Sequence, residues 1–229
     1  MSRIIPFTMT VILFPALGLA AGSFFPVVPR GEPRISPWAA EAPAGSLTLT
    51  MNIVGQRKGP DGSYTEVLVH EGSVLHSYDH FQVHMETNRP AYVYILLYDS
   101  QGKARQLFPH PKIDHPDFVK PGNRVVAPAE DLWYWLDEKA GTETLYVLAS
   151  EKPMADIREL LAGMEAADER AKRRISTEMR QRIAQRGLAV VAKGEPAAYS
   201  LSDGKRIRKV TEVVTGSGSV VRALSFQHR

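Results

Sequence analysis

The chain has no cysteine. That absence removes disulfide staples, thiol nucleophiles, thiolate zinc centres and lipoprotein-type acylation as bases for its fold or function. A strong excess of one charge is also missing: 28 Lys and Arg stand against 25 Asp and Glu, a formal net charge of +3. This mild balance permits contact with anionic surfaces but lacks the dense basic footprint of a nucleic-acid binder. No Walker-type loop and no dinucleotide fingerprint occurs, and the GSGS run at Gly216–Ser219 lacks the G-x-S-x-G pattern of a serine nucleophile elbow. What remains is an ordinary globular composition, 44% hydrophobic and 23% charged over 229 residues, enough for one domain with extensions.

The N-terminal residues 1–20 carry a single basic residue, Arg3, before an apolar run that ends in small residues, with Gly18 and Ala20 ahead of a cleavage point. This is the layout of a secretory signal. The run also approaches membrane-spanning length, so an uncleaved anchor is the competing reading, disfavoured by Pro6 and Pro15. Both readings place the folded part outside the cytoplasm, in the periplasm or secreted, with the membrane touched only through this segment. Residues 21–46 hold Pro26, Pro29, Pro33, Pro37 and Pro43, a spacing that supports neither a helix nor a central strand and reads as a linker.

From residue 47 onward the pattern is that of short strands. Leu47–Arg57 alternates apolar and polar residues, and Lys58–Ser63 is a turn by composition leading to a second strand at Tyr64–Leu68, a hairpin. Phe81, Val83 and Met85 share one face of the next strand while Gln82, His84 and Glu86 share the other. After the turn Asn88-Arg89-Pro90, the stretch Ala91–Tyr98 is apolar on both faces, which predicts the most buried strand of a sheet covered on both sides. Its tyrosines, Tyr92, Tyr94 and Tyr98, then require hydroxyl partners or a wet sheet edge. Thr142–Ser150 and Val220–Phe226 are further strands, with another at Val210–Val214. No crossover helix interrupts the run before residue 150, so the expected fold is mainly β, an antiparallel β-sandwich of Ig-like or jelly-roll-like type spanning residues 47–229.

Between residues 153 and 186 the period changes to that of a helix, with Met154, Ile157, Leu160, Leu161 and Met164 on one stripe, continuing as Ala171, Ile175, Met179 and Ile183 among charges. A straight helix of that length measures about 50 Å, longer than a small sandwich covers, so a break or a part standing off the domain is expected. The stripe serves the domain's own core or a partner; the last strand then returns the chain to the sheet.

Several residue groups invite a functional reading. His76, His80 and His84 recur at intervals of four beside Asp79, and His110 and His115 sit in a Pro-rich loop. On a helix that spacing builds a metal site, but in a strand four residues span about 13 Å, so His76, His80 and His110 support a metal-assisted hydrolase only if a loop folds back. Carboxylates such as Asp99 and Asp137 form a pair only if the fold brings them together. Trp133, Tyr134 and Trp135 offer a stacking surface for a glycan if exposed, and otherwise fill the core. Lys205, Arg206 and Arg208 lie in a small basic cluster suited to a polyanion, or to a solvated turn. No cofactor is implied.

The residues Phe81–Pro109, the turn Pro121-Gly122, Pro128, Trp133–Asp137, Gly141–Ser150 and the closing VVRALSF together resemble the bacterial domain-of-unknown-function family 4384. The resemblance implies a β-rich envelope or extracellular module, found alone or appended to other domains, with no agreed activity and no catalytic residues to carry over. The functional expectation is therefore an exported, non-enzymatic module of the bacterial envelope that docks a protein partner through a sheet surface or the helical arm. A glycan- or peptidoglycan-binding module is the alternative, with a hydrolase behind it.

Overall fold

The protein is described here from a computed structural model over residues 44–113, 116–186, 190–193, 197–200, 206–209 and 211–229. The expected signal segment, the expected linker as far as residue 43, His115 and Lys205 lie outside these residues. In chain order the elements are β1 (Leu47–Lys58), β2 (Tyr64–Val69), β3 (Val74–Leu75), β4 (His80–Thr87), β5 (Ala91–Tyr98), β6 (Ala104–Phe108), β7 (Phe118–Val119), β8 (Val125–Ala127), β9 (Tyr134–Trp135) and β10 (Gly141–Ser150). Helices α1 (Ala155–Glu165) and α2 (Glu169–Gln185) follow, then β11 (Val190–Lys193), β12 (Ala197–Ser200), β13 (Arg206–Lys209), β14 (Glu212–Gly216) and β15 (Ser219–His228).

Two sheets face each other, as the alternating strands predict. One runs β11-β14-β1-β4-β8, with β2 added to β1 and β9 to β4; the other runs β3-β15-β10-β5-β6, with β7 added to β5. The pairings are antiparallel except for the short β3–β15 contact, which is parallel. The core between them takes one face of every long strand: Leu47, Leu49, Met51 and Ile53 from β1, Phe81, Val83 and Met85 from β4, Val93, Ile95 and Leu97 from β5, Leu145 and Val147 from β10. Gly55 keeps β1 in register where β2 crosses it. A Cβ there would lie 2.7 Å from Val67 Cγ2 and 2.8 Å from Val69 Cγ2, so only glycine fits between those β-branched neighbours. The turn Asn88-Arg89-Pro90 carries the chain from one sheet to the other, and Asn88 secures it by accepting the Thr48 N–H at 2.7 Å.

The opposite face of the β5 sheet is covered by the helices, which explains why Ala91–Tyr98 is apolar on both sides. Tyr94, Leu96 and Tyr98 pack with Leu148 and Val221 against Met154, Ile157 and Leu161 of the α1 segment and Met179 and Ile183 of α2. Two of the three tyrosines have hydroxyl partners and the third, half-buried, has a ring contact. Tyr94 donates to Asp117, Tyr98 donates to the Ser176 carbonyl at 3.0 Å, and Tyr92 lies edge-on to Phe118. The helical stripe thus serves the domain's own core. The predicted break falls after α1, where Asp168 starts α2 by accepting the Ala171 N–H at 2.7 Å. Among the described residues five strands follow the helices, where the sequence places two, at Val210–Val214 and Val220–Phe226. The basic cluster, expected in a turn, contributes Arg206 and Arg208 to strand β13, paired with β12. That difference arises because a run of alternating residues pairs wherever a neighbouring strand offers hydrogen bonds, whatever its charge.

Candidate functional site

One end of the sandwich gathers most of the polar and aromatic groups that the core does not use. It begins at the turn His76–Asp79. Asp79 is buried, accepts the His76 N–H at 2.8 Å and the Lys58 N–H at 3.3 Å, and lies 3.5 Å from Arg57 Nε. This places Tyr78 in the left-handed region, φ 70°, an uncommon conformation for a bulky residue and held by its N–H bond to the Leu136 carbonyl at 2.9 Å. The Tyr78 ring, 41% exposed, stacks on Trp135 with centroids 5.9 Å apart. Its hydroxyl donates to Glu138, which pushes the phenol pKa up. In the register of β4 with β9, Trp135 lies opposite His80, whose ring stacks in turn on the exposed Tyr64 at 4.6 Å. A row of rings, Tyr64, His80, Trp135 and Tyr78, therefore borders this end of the first sheet.

Trp135 also walls a cavity of about 30 Å³ at the same end, lined by Asp99 and Arg105 from the β5–β6 connection, Asp137 and Lys139 after β9, Glu143 of β10 and His228 of β15. Asp99 and Asp137, separate in sequence, are thus brought to one cavity with a third carboxyl. Asp99 accepts the Lys103 N–H at 2.8 Å, and Asp137 accepts the Lys139 N–H at 2.9 Å and faces Arg105 at 3.9 Å. Glu143 is 5% exposed, and no hydrogen bond reaches its carboxyl among the described residues; His228 Nδ1 lies 3.9 Å away. Burial, reinforced by the charges of Asp99 and Asp137 and eased by Arg105, pushes the Glu143 pKa up to about 7. Burial lowers that of His228 against the opposing pull of Asp137 and Asp79. Gly141 lets β10 start this close to the β5–β6 turn, because a Cβ there would overlap Ser100.

The sequence-predicted groups are distributed unevenly over this geometry. Of the aromatic triplet, Tyr134 is fully buried, its hydroxyl donating to the Leu107 carbonyl at 2.6 Å, and takes no part in a stacking surface. Trp133 and Trp135 are half-buried. The correction follows from strand parity: consecutive residues of β9 point to opposite faces, and Tyr134 takes the inner one beside Phe81. The histidines do not assemble a metal centre, and among the described residues no group of three His, Asp or Glu is placed to hold a metal ion. His76 points at Asp79, His80 lies on Tyr64 with its pKa lowered mainly by burial, and His110 accepts the Lys112 N–H at 3.2 Å. Tyr64, Tyr78 and Glu143 escaped the sequence reading. Glu143 carried a signal, being a carboxylate at an inward position of an alternating strand; Tyr78 carried none, since its exposure depends on a turn conformation.

Residues 75–153 match the family described as a domain of unknown function (DUF4384), which the chain therefore resembles over β4–β10. No curated protein and no solved structure matches the chain. The matched stretch contains Tyr78, Trp135 and every cavity residue named above except His228, whereas Tyr64, the helices and β11–β15 lie outside it. No helix among the described residues is long and apolar enough to cross a membrane.

Proposed function

We propose that this chain is an exported, non-enzymatic module of the bacterial envelope that docks a protein partner at the ring-bordered end of its sandwich. The observation that carries this reading is the exposed aromatic row of Tyr64 and Tyr78 stacked on His80 and Trp135. Tyr and Trp are the residues that dominate interface energetics, because they bring large, rigid contact area at low entropic cost. Of the two docking routes, the sheet end is favoured over the helical arm. The apolar stripe of α1 and α2 is spent on the second sheet, leaving outer faces rich in Arg174, Glu178 and Arg182. The enzymatic alternative lacks support from the histidines, which are held by separate neighbours.

A photo-crosslinking side chain placed at position 64 or 78 of the full chain in native envelopes is expected to capture the same protein. The same group placed at Arg174 is expected to capture none, and Tyr78→Ala is expected to reduce capture from position 64. Equal capture from all three positions, or turnover of a substrate by the purified chain, would overturn the reading. The Tyr78–Trp135 stack also favours a glycan as a second reading. Retention of the chain on purified peptidoglycan, lost in Tyr78→Ala, would establish that ligand in place of a protein.

A further inference from the structure

Helix α2 concentrates charge in a way that its own stability opposes. Six Arg and Lys stand against two Glu between Glu169 and Gln185, so this helix carries +4 while the rest of the chain, +3 in total, sums to −1. Four of the six, Arg170, Lys172, Arg173 and Arg174, fall in its first two turns, the end at which the helix dipole disfavours cations. Arg170 recurs three and four residues on as Arg173 and Arg174, like-charge spacings that destabilise a helix. These three arginines are exposed, and among the described residues no carboxylate lies at ion-pair distance from them. The neighbouring sheet adds to the charge. Lys103 and Arg105 of the β5–β6 region and Lys139 after β9 meet Lys172 and Arg173 at one groove of about 480 Å³, open to solvent. Two carboxylates share that groove and both are engaged. Asp99 accepts the Gln101 and Lys103 amides at 3.0 and 2.8 Å, and Glu169 holds the Lys103 ammonium at 2.7 Å with Lys172 at 3.7 Å. Arg105 also faces Asp137 at 3.9 Å. Lys103, Arg105 and Lys172 are half-buried, and like charges repel more strongly there than in open water.

From this convergence we infer that the groove between the β5–β6 turn and the start of α2 binds a phosphomonoester, carried by a lipid headgroup or by a soluble molecule. Cations drawn from three separate stretches of chain crowd together here against both local helix electrostatics and their mutual repulsion. A bound anion turns each of those costs into an attraction. Five cations against two engaged carboxylates leave an excess that a single carboxylate ligand does not balance. A phosphomonoester brings about two negative charges and three strong acceptor oxygens. Arg173 offers a guanidinium fork for two of those oxygens, while Lys139 and Lys172 supply ammonium charges, and the α2 dipole adds positive potential at the same end. A nucleic-acid strand is a poorer match, because no aromatic side chain lines the groove for a base to stack on. The groove is distinct from the aromatic row, and the inference does not rest on the docking reading. A phosphate ligand also agrees with the expectation that Arg174 captures no protein.

The test is a titration of the full chain with inorganic phosphate, followed by the amide resonances of Lys103, Lys172 and Arg173, with acetate at matched ionic strength as the control. Saturable shifts at all three are expected with phosphate, and an affinity about ten-fold weaker with acetate. Arg173→Gln is expected to weaken phosphate binding about ten-fold without lowering the melting temperature, since it removes a cation from the start of a helix. Lys139→Gln, on a different segment, is expected to weaken it as well. Arg182→Gln makes the same change of charge at the far end of α2 and is expected to leave binding unchanged. Equal shifts with acetate, no saturation, or equal weakening by Arg182→Gln would reduce the groove to a diffuse counter-ion cloud and overturn the inference. Vesicles of equal parts phosphatidylcholine and phosphatidic acid, set against phosphatidylcholine alone, distinguish the sources. Co-sedimentation that requires phosphatidic acid and is lost in Arg173→Gln assigns a lipid headgroup; phosphate binding without it assigns a soluble ligand. Capture from positions 64 and 78 tests the docking reading separately, so that either can fail while the other stands.

Discussion

Asp79 illustrates how a single buried carboxylate sets a surface feature. Its two oxygens accept amides from His76 and Lys58 and face Arg57, so that the turn holds Tyr78 at positive φ against Trp135. Replacing it by Ala leaves those donors without acceptors in a region that water reaches poorly. Asp79→Ala is expected to destabilise the protein by about 2–4 kcal/mol in urea denaturation and to diminish the near-ultraviolet dichroism of the Tyr78–Trp135 pair. An unchanged midpoint would remove Asp79 from this role. In the sequence the same residue sits among histidines and invites a metal reading. Its real use is legible only when the partner amides are known, because a carboxylate that caps a turn and one that binds a metal look alike in one dimension.

The helices show the reverse, a feature almost fully legible in advance. The change of period after residue 150, the stripe Met154, Ile157, Leu161, Met179, Ile183 and the expectation of a break all agree with α1 and α2. What the stripe packs against could not be read from it, since a core and a partner present the same apolar surface. The docking of α2 rests on fully buried Met179 and on Ser176, whose hydroxyl accepts the Ala104 N–H at 2.9 Å while its carbonyl receives Tyr98. Met179→Ala is expected to cost about 2–5 kcal/mol, the range for emptying a core position. If α2 instead stood off the sheet, chemical denaturation would detect no loss.

Glu143 and His228 bear on the stability of the whole fold, with opposite signs. The Glu143 pKa is raised in the folded state, so the native form holds a proton that the unfolded chain has released. Its penalty is absent below the ordinary carboxylate range, grows as pH rises from about 4.5 and is complete above about 7, reaching no more than about 3 kcal/mol. The His228 pKa is lowered, so folding is opposed as pH falls below the ordinary imidazole value of 6.5 and the unfolded chain takes up a proton. Glu143→Gln is expected to raise the melting temperature at pH 8 while leaving it nearly unchanged at pH 4. A variant less stable than the parent at pH 8 would mean that Glu143 already has a stabilising partner in the folded chain.

The two-sheet architecture, the doubly buried strand Ala91–Tyr98, the hairpin of β1 and β2 and the helical segment were all determined by the chain itself. Period and turn chemistry are local properties, and burial on one or both faces writes itself into alternation. The convergence of Asp99, Asp137, Glu143 and His228 on one cavity and the division of the Trp133–Trp135 triplet between surface and core were decided by strand pairing. So were the strands β11–β13, which the sequence reading does not place after the helices. These depend on which edges meet, a relation among residues as far apart as Asp99 and His228, and such distances are created only when the sheets close over their common core.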